Sequence, residues 1–311
     1  MALKIDMDVW HGRVDHDEGL SAKRWHQIVH PLPNNTTHKP GILLLGFASD
    51  EGVRRNQGRI GAADGPLAIR RALANLAWHG THPVYDAGDV QCQDGDLETA
   101  QEQLATQITH GIALGHLPVV LGGGHETAYG HWLGLVQAHP KKSIGIINFD
   151  AHFDLRQTEE PSSGTPFAQI ARACAQRSID FNYLCMGIAE PSNTHALFEH
   201  AKRLGAEWRL DRDMTPWKIK ETQKQLAAFV AKVDAIYLTI DLDVLPASQM
   251  PAVSAPAAFG VDLHVIETLV RDVKSSGKMI GADVVEYNPR FDIDAHGAKI
   301  AARLVGVLAG T

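Results

Sequence analysis

The chain has 311 residues, 44% of them hydrophobic and 21% charged. That mixture can fill a core and excludes global disorder. Twenty-nine Lys plus Arg stand against 36 Asp plus Glu, a net charge of −7 with His neutral, and no basic stripe offsets it, so nucleic acid is not an expected partner.

Residues 1–40 read as polar and irregular. The first ten include Lys4, Asp6 and Asp8 and lack the apolar stretch of a secretory signal. Pro31-Leu32-Pro33-Asn34-Asn35 reads as a loop. Beyond it, apolar runs of strand length alternate with helical patterns. Strands are predicted at 41–47, 83–86, 117–121, 143–149, 182–187, 207–210, 235–240 and 279–285. Helices are predicted at 65–76, with Pro66 in the first turn, and at 97–114, 127–137, 166–175, 194–204, 216–232, 262–275 and 297–308. The alternation implies an α/β fold on a mainly parallel sheet of about eight strands, in one domain over 1–311. No apolar run is long enough to cross a bilayer, so no membrane partner is expected. Cys92, Cys174 and Cys185 are too sparse for a disulfide framework and read as buried thiols, which fits a cytoplasmic location. Met186 reads as core.

In such folds the chemistry collects beyond the carboxyl ends of the strands, and three of those ends share one composition. After 117–121 comes Gly122-Gly123-Gly124-His125-Glu126. The glycines allow a sharp turn and a close approach, and no Lys-Ser/Thr follows to make a P-loop; alone, His125 could equally be a capping imidazole. After 143–149 comes Asp150-Ala151-His152-Phe153-Asp154. Strand alternation would point Asp150, His152 and Asp154 one way and Ala151 and Phe153 the other. Three ionisable groups on one face are costly if buried without partners. After 235–240 comes Asp241-Leu242-Asp243, a weak pattern in isolation. Together the three ends supply two imidazoles, four carboxylates and no thiolate, a donor set suited to Mn²⁺ or a similar ion. Two divalent cations balance the four negative charges. Spaced roughly 3.5–4 Å apart, they can activate one shared water at neutral pH.

In order and spacing, 122–126, 150–154 and 241–243 resemble the signature motifs of the ureohydrolase family of arginases, agmatinases and formimidoylglutamases, over about 41–310 of this chain. The resemblance implies an arginase-like three-layer fold, an eight-stranded parallel sheet with helices on both faces, and two Mn²⁺ per subunit. It implies that His125, Asp150, Asp154 and Asp241 hold one ion and Asp150, His152, Asp241 and Asp243 the other, with Asp150 and Asp241 bridging. Asp283-Val284-Val285-Glu286 matches a further position, at which the family's glutamate pairs with the cationic amidine of the substrate. An ordinary ion pair with Arg290 is the alternative for Glu286. Family members commonly form oligomers, which leaves a homo-oligomer open.

Arg156 falls where arginases carry an asparagine against the amino-acid carboxylate, and its planar fork suits a carboxylate. That argues against agmatinase substrates, which have none. Residues 162–167 keep the family's Ser-Gly but lose a nearby arginase histidine. The segments Asp8 to Asp15 and Gly52 to Gly61 resemble the formimidoylglutamase branch. The implied substrate is N-formimidoyl-L-glutamate, hydrolysed to L-glutamate and formamide. Glu286 would hold the cationic head, Arg156 and Ser163 would meet a carboxylate, and Asp154 would pass a proton to the departing amine. Arg54, Arg55 and Arg59 either face the substrate or brace a loop with Asp50 and Glu51. The stretch 245–260, with Pro246, Pro251 and Pro256, is expected to wall the mouth of the site. Competing readings are a family member acting on a guanidino acid, a two-metal phosphoesterase, whose usual Asn is missing, and a metal-binding homologue without chemistry.

Overall fold

The computed structural model describes residue 3 and residues 6–33 and 39–310. Among these residues nine strands form one sheet: β1 (Val29–Pro31), β2 (Ile42–Ala48), β3 (Val84–Gln91), β4 (Leu117–Leu121), β5 (Ile144–Phe149), β6 (Asn182–Ile188), β7 (Glu207–Leu210), β8 (Ala235–Asp241) and β9 (Met279–Val285). Their order is β1-β3-β2-β4-β9-β8-β5-β6-β7, and every pairing is parallel. All eight predicted strands are present. The ninth, β1, lies in the segment read as irregular: three residues with one buried side chain carry too little pattern to register, yet they pair with Val84–Asp86. Pro31 therefore belongs to a strand and not to the predicted loop; Asn34 and Asn35 of that loop lie outside the described residues.

Among the described residues nine α-helices lie between and after the strands: α1 (Glu51–Arg55), α2 (Gly65–Ala74), α3 (Leu97–Ala113), α4 (Thr127–Ala138), α5 (Pro166–Arg177), α6 (His195–Arg203), α7 (Ile219–Ala231), α8 (Leu263–Ser275) and α9 (His296–Ala309). The short α1 was not predicted; the other eight were. Alternate strand residues serve opposite faces of the sheet. Leu44, Ile147 and Leu238 pack with α2, α7, α8 and α9, whereas Leu43, Leu45 and Ile146 pack with α3, α4, α5 and α6. This is the three-layer arrangement, and it explains why the central strands are apolar throughout: both faces are covered. Cys174, Cys185 and Met186 are buried, but Cys92 is only half-buried, because β3 ends just before it.

A buried ion network fixes one side of the sheet. Arg70 of α2 donates from Nε and Nη2 to the two oxygens of Asp86 at 2.8 and 2.9 Å, and from Nη1 to Asp89 at 2.6 Å. Trp10 Nε1 donates to Asp86 at 2.8 Å, tying the Asp8–Asp15 segment to β3. A Cβ at Gly46 would fall 1.7 Å from Asp89 Oδ1, so β2 needs glycine there. Arg70→Met leaves Asp86 buried and uncompensated and is expected to cost about 3–5 kcal/mol, read as a lower urea midpoint; a loss below about 1 kcal/mol would contradict this role.

Candidate metal centre and adjoining cavity

Strand register assembles the site. Phe149 pairs with Ile240, so Asp150 and Asp241 leave β5 and β8 side by side. Asp241 pairs with Val285, and Glu286 follows one residue later. The glycine turn after β4 is locked to the same edge: Gly122 N donates to Val284 O at 2.9 Å, and Glu286 N donates to Gly123 O at 2.8 Å. The chain order changes direction among these central strands, the place where parallel sheets form ligand crevices.

The His125 ring lies at the centre. Its Nδ1 is 3.2 Å from Asp150 Oδ2 and 3.0 Å from both Asp154 Oδ2 and Asp241 Oδ2, while Nε2 is 3.1 Å from Thr239 Oγ1. His152 Nδ1 is 2.9 Å from Asp243 Oδ2 and 3.5 Å from Asp150 Oδ1. One group of donor atoms, from His125, Asp150, Asp154 and Asp241, fits within 4.8 Å; a second comprises Asp150, His152 and Asp243. Asp150 belongs to both, whereas Asp241 joins the first alone. Main-chain amides hold the carboxylates: His152 N donates to Asp150 at 2.6 Å, Asp243 N to Asp241 at 2.8 Å and Ala151 N to Asp243 at 3.2 Å. Strand alternation does not carry through residues 150–154, contrary to expectation. β5 stops at Phe149, and Asp154 reaches the cluster through a left-handed backbone with φ 48°, not along an extended strand.

The local charges strain against one another. Burial and the charge of Asp150 push Asp154 up to about 6. Burial, with Asp243 and Asp150, drives Asp241 well above the usual carboxylate range. Burial opposes protonation of His125 and His152, yet the surrounding carboxylates outweigh it and raise both. With Nε2 facing Thr239, His125 Nδ1 is left without a hydrogen-bond partner amid three carboxylates. A cation suits that position, so the residues fit a divalent metal pair.

Glu286 also has a left-handed backbone, φ 67°. Its Oε1 accepts from His125 N at 2.8 Å, and its Oε2 has no hydrogen-bond partner among the described residues. Burial, then the charge of Glu126, pushes it up to about 8. Arg290 pairs with Asp64 at 3.7 Å, so the ordinary ion pair considered for Glu286 is not formed.

A cavity of about 90 Å³ opens beside the cluster. Its lining combines His152, Asp154, Asp241, Asp243 and Glu286 with Asn56, Arg156 and Ser163, and with Ser254 and Ala255 from the 245–260 stretch. Among the described residues Arg156 makes no side-chain ion pair or hydrogen bond. Arg54, Arg55 and Arg59 are not in the cavity wall. Arg54 pairs with Glu51, and Arg55 pairs with Glu51, Glu98 and Glu160. Arg59 donates to the carbonyls of Pro251, Val253 and Ser254, bracing the wall; Asp50 instead accepts from Gly61 N at 2.6 Å.

Four further residues support the site from outside the expected set of ligands and substrate contacts. Asn148 Nδ2 donates to Asp150 Oδ2 at 2.9 Å, and Thr239 faces His125. Both lie two residues before a motif aspartate, so strand parity could have flagged them. Glu126, pushed up to about 7 by burial, accepts from Gly52 N at 2.9 Å and Ser49 Oγ at 3.0 Å, anchoring α1. Asn56 lies in the segment 52–61 that resembles the formimidoylglutamase branch, but only the arginines of that segment were weighed for the site, because α1 itself was not foreseen.

Fold and site together define a metal-dependent α/β enzyme architecture, and the arginase family's sequence profile matches residues 40–310: the chain belongs to the arginase family. Within it, the chain is 64% identical over 300 residues to a formimidoylglutamase of Chromobacterium violaceum, covering 96% of each, and 54% identical to one of Aeromonas hydrophila, covering 97% and 96%. The fold is similar to that of a Bacillus subtilis formimidoylglutamase (TM-score 0.84, 22% identity, 96% and 92% of the two chains) and a Trypanosoma cruzi formiminoglutamase solved with Mn²⁺ (TM-score 0.78, 24%, 87% and 92%).

The pKa shifts carry a prediction. Asp154, Asp241, Asp243, Glu126, Glu286 and both site histidines all keep protons to higher pH folded than unfolded. The folded state then binds more protons across about pH 5–8, so stability of chelator-treated protein falls as pH rises through that window. Saturating Mn²⁺, which needs deprotonated ligands, should reverse the slope. Urea midpoints at the two ends of the window, with chelator and with Mn²⁺, check this. A chelated protein that is more stable at the alkaline end would contradict it.

Proposed function

We infer that this chain hydrolyses N-formimidoyl-L-glutamate to L-glutamate and formamide with two Mn²⁺ per subunit. The observation that carries the reading is the mixed lining of this cavity. An acidic cluster with Glu286, whose Oε2 has no partner among the described residues, shares it with the guanidinium of Arg156, which makes no ion pair among them. A ligand with a cationic amidine at one end and carboxylate at the other matches that polarity. The relatives named formimidoylglutamase, at up to 64% identity, support the same substrate.

In this proposal His125, Asp150, Asp154 and Asp241 hold one ion, and Asp150, His152, Asp241 and Asp243 hold the other. Bound there, the ions would supply Lewis acidity and a water acidic enough to lose a proton near neutral pH. Glu286 Oε2 accepts from the formimidoyl N–H, holding the cationic head over the cluster while Oε1 remains fixed by His125 N. Arg156 grips a carboxylate and so sets the orientation of the head. As the water oxygen gives a proton to Asp154 and bonds to the sp² carbon, the amidine π pair returns to nitrogen, and Glu286 keeps its hold on the N–H beside it. The C–N bond to the glutamate nitrogen then breaks, and Asp154 returns the proton taken from water to this nitrogen as it leaves.

The direct test incubates Mn²⁺-loaded protein with N-formimidoyl-L-glutamate and with arginine or guanidinobutyrate, and measures formamide, urea and metal content. Formamide release with two Mn²⁺ per chain is expected, and Asp241→Asn should lose both metal and turnover. Urea as the preferred product, or a fully metallated, active Asp241→Asn, would overturn the reading. Arg156→Ala is expected to raise KM for N-formimidoyl-L-glutamate about tenfold or more, the loss of a charge-assisted pair, with metal content kept. An unchanged KM would remove Arg156 from carboxylate binding.

A further inference from the structure

N-formimidoyl-L-glutamate has two carboxylates, and Arg156 is the one guanidinium among the described residues lining the cavity. A planar fork serves one carboxylate well; the second has to meet neutral donors. The structure places two beside Arg156. Asn56 Nδ2 donates to Ser163 Oγ at 3.2 Å, and both residues line the cavity. An amide nitrogen carries two hydrogens and a hydroxyl one. That bond uses one Asn56 hydrogen and a Ser163 lone pair, which leaves one donor hydrogen on each side chain without a protein acceptor among the described residues. Gly164 makes the convergence sterically possible. A Cβ there would sit 3.1 Å from Arg156 Cδ, 3.2 Å from Asn56 Nδ2 and 3.3 Å from Asn56 Oδ1, so Arg156 and Asn56 close on the same point from two sides.

Asn56 is held in place rather than left to find its ligand. It is the C-cap of α1, with its N donating to Gly52 O at 2.9 Å, and the chain turns away immediately afterwards at Gln57, φ 59°. The Glu126 carboxylate accepts from Gly52 N at the other end of α1, which ties this short helix to the residue following His125. Arg55 donates to Pro161 O at 3.2 Å and Gly95 O at 2.9 Å, fastening α1 to the segment that bears Ser163. Side chains locked in this way bind without a large ordering cost.

We propose that Asn56, paired with Ser163, is the neutral donor site for the second carboxylate of the substrate, and that it selects dicarboxylate amidines over those with one carboxylate. The proposal rests on the substrate reading above and goes beyond it. The test measures KM and kcat of the Mn²⁺-loaded enzyme and of Asn56→Asp and Asn56→Ala on three compounds: N-formimidoyl-L-glutamate, N-formimidoyl-4-aminobutyrate and N-formimidoyl-L-2-aminobutyrate. Each of the last two lacks one carboxylate. For the full substrate, KM is expected to rise about tenfold to a hundredfold in Asn56→Asp and less in Asn56→Ala, with kcat falling far less than KM rises. For the analogue lacking the carboxylate that Asn56 meets, the same substitutions should change KM by no more than about twofold, as expected of a lost partner. Metal content and thermal midpoint establish that the variants are folded and loaded. An unchanged KM for the full substrate in both variants, or an equal rise on all three compounds, would overturn the assignment. If the unsubstituted enzyme releases no formamide from N-formimidoyl-L-glutamate, the substrate reading itself fails, an outcome distinct from a silent Asn56.

Discussion

Four aspartates and two histidines crowd into a basin at the ends of parallel strands, with Asp150 fully buried and Asp241 and Asp243 nearly so. Like charges at this separation and burial cannot all ionise unless something positive lies among them. Much of the rest of the molecule can be read as the means of holding that unfavourable arrangement together. Both faces of the sheet are packed, so the strand ends cannot splay, and the register of β4, β9, β8 and β5 fixes which residues emerge as neighbours. Main-chain amides from residues 151, 152 and 243 saturate part of the Asp243, Asp150 and Asp241 carboxylates.

Two of the site's acids, Asp154 and Glu286, are held in left-handed backbone, which costs energy for a residue with a Cβ. Their positions make the strain intelligible. Asp154 turns back towards His125 after the chain has left β5, and Glu286 turns inward after β9 while its amide closes onto Gly123. An extended continuation of either strand would carry the carboxylate past the basin. The glycine turn contributes from the other side: a Cβ at Gly123 would fall 1.8 Å from Ser49 O, so only glycine allows β4 to end this close to the segment leading into α1.

Most of the architecture was legible from the residues. Buried parallel strands such as β5 and β8 are continuous apolar runs, and acids placed directly after them stand out. What stayed hidden shares a physical cause. β1 and α1 are too short to show a period, and α1 owes its place to contacts distant in sequence, Glu126 at one end and Pro161 at the other. The left-handed turns at Asp154 and Glu286 leave no compositional mark, because the surroundings and not the residue type impose them. Asn148 and Thr239 were readable in principle by strand parity, but an Asn and a Thr in an apolar run do not announce whether they face a site or merely tolerate the core.

The central claim is that a pair of divalent cations neutralises this basin. Crystals grown with Mn²⁺ and measured at the manganese absorption edge test it most directly. The account predicts two anomalous peaks roughly 3.5–4 Å apart, one against His125 and Asp154 and one against His152 and Asp243, on either side of Asp150. A basin without anomalous density, its aspartates protonated and hydrogen-bonded to one another, would contradict it.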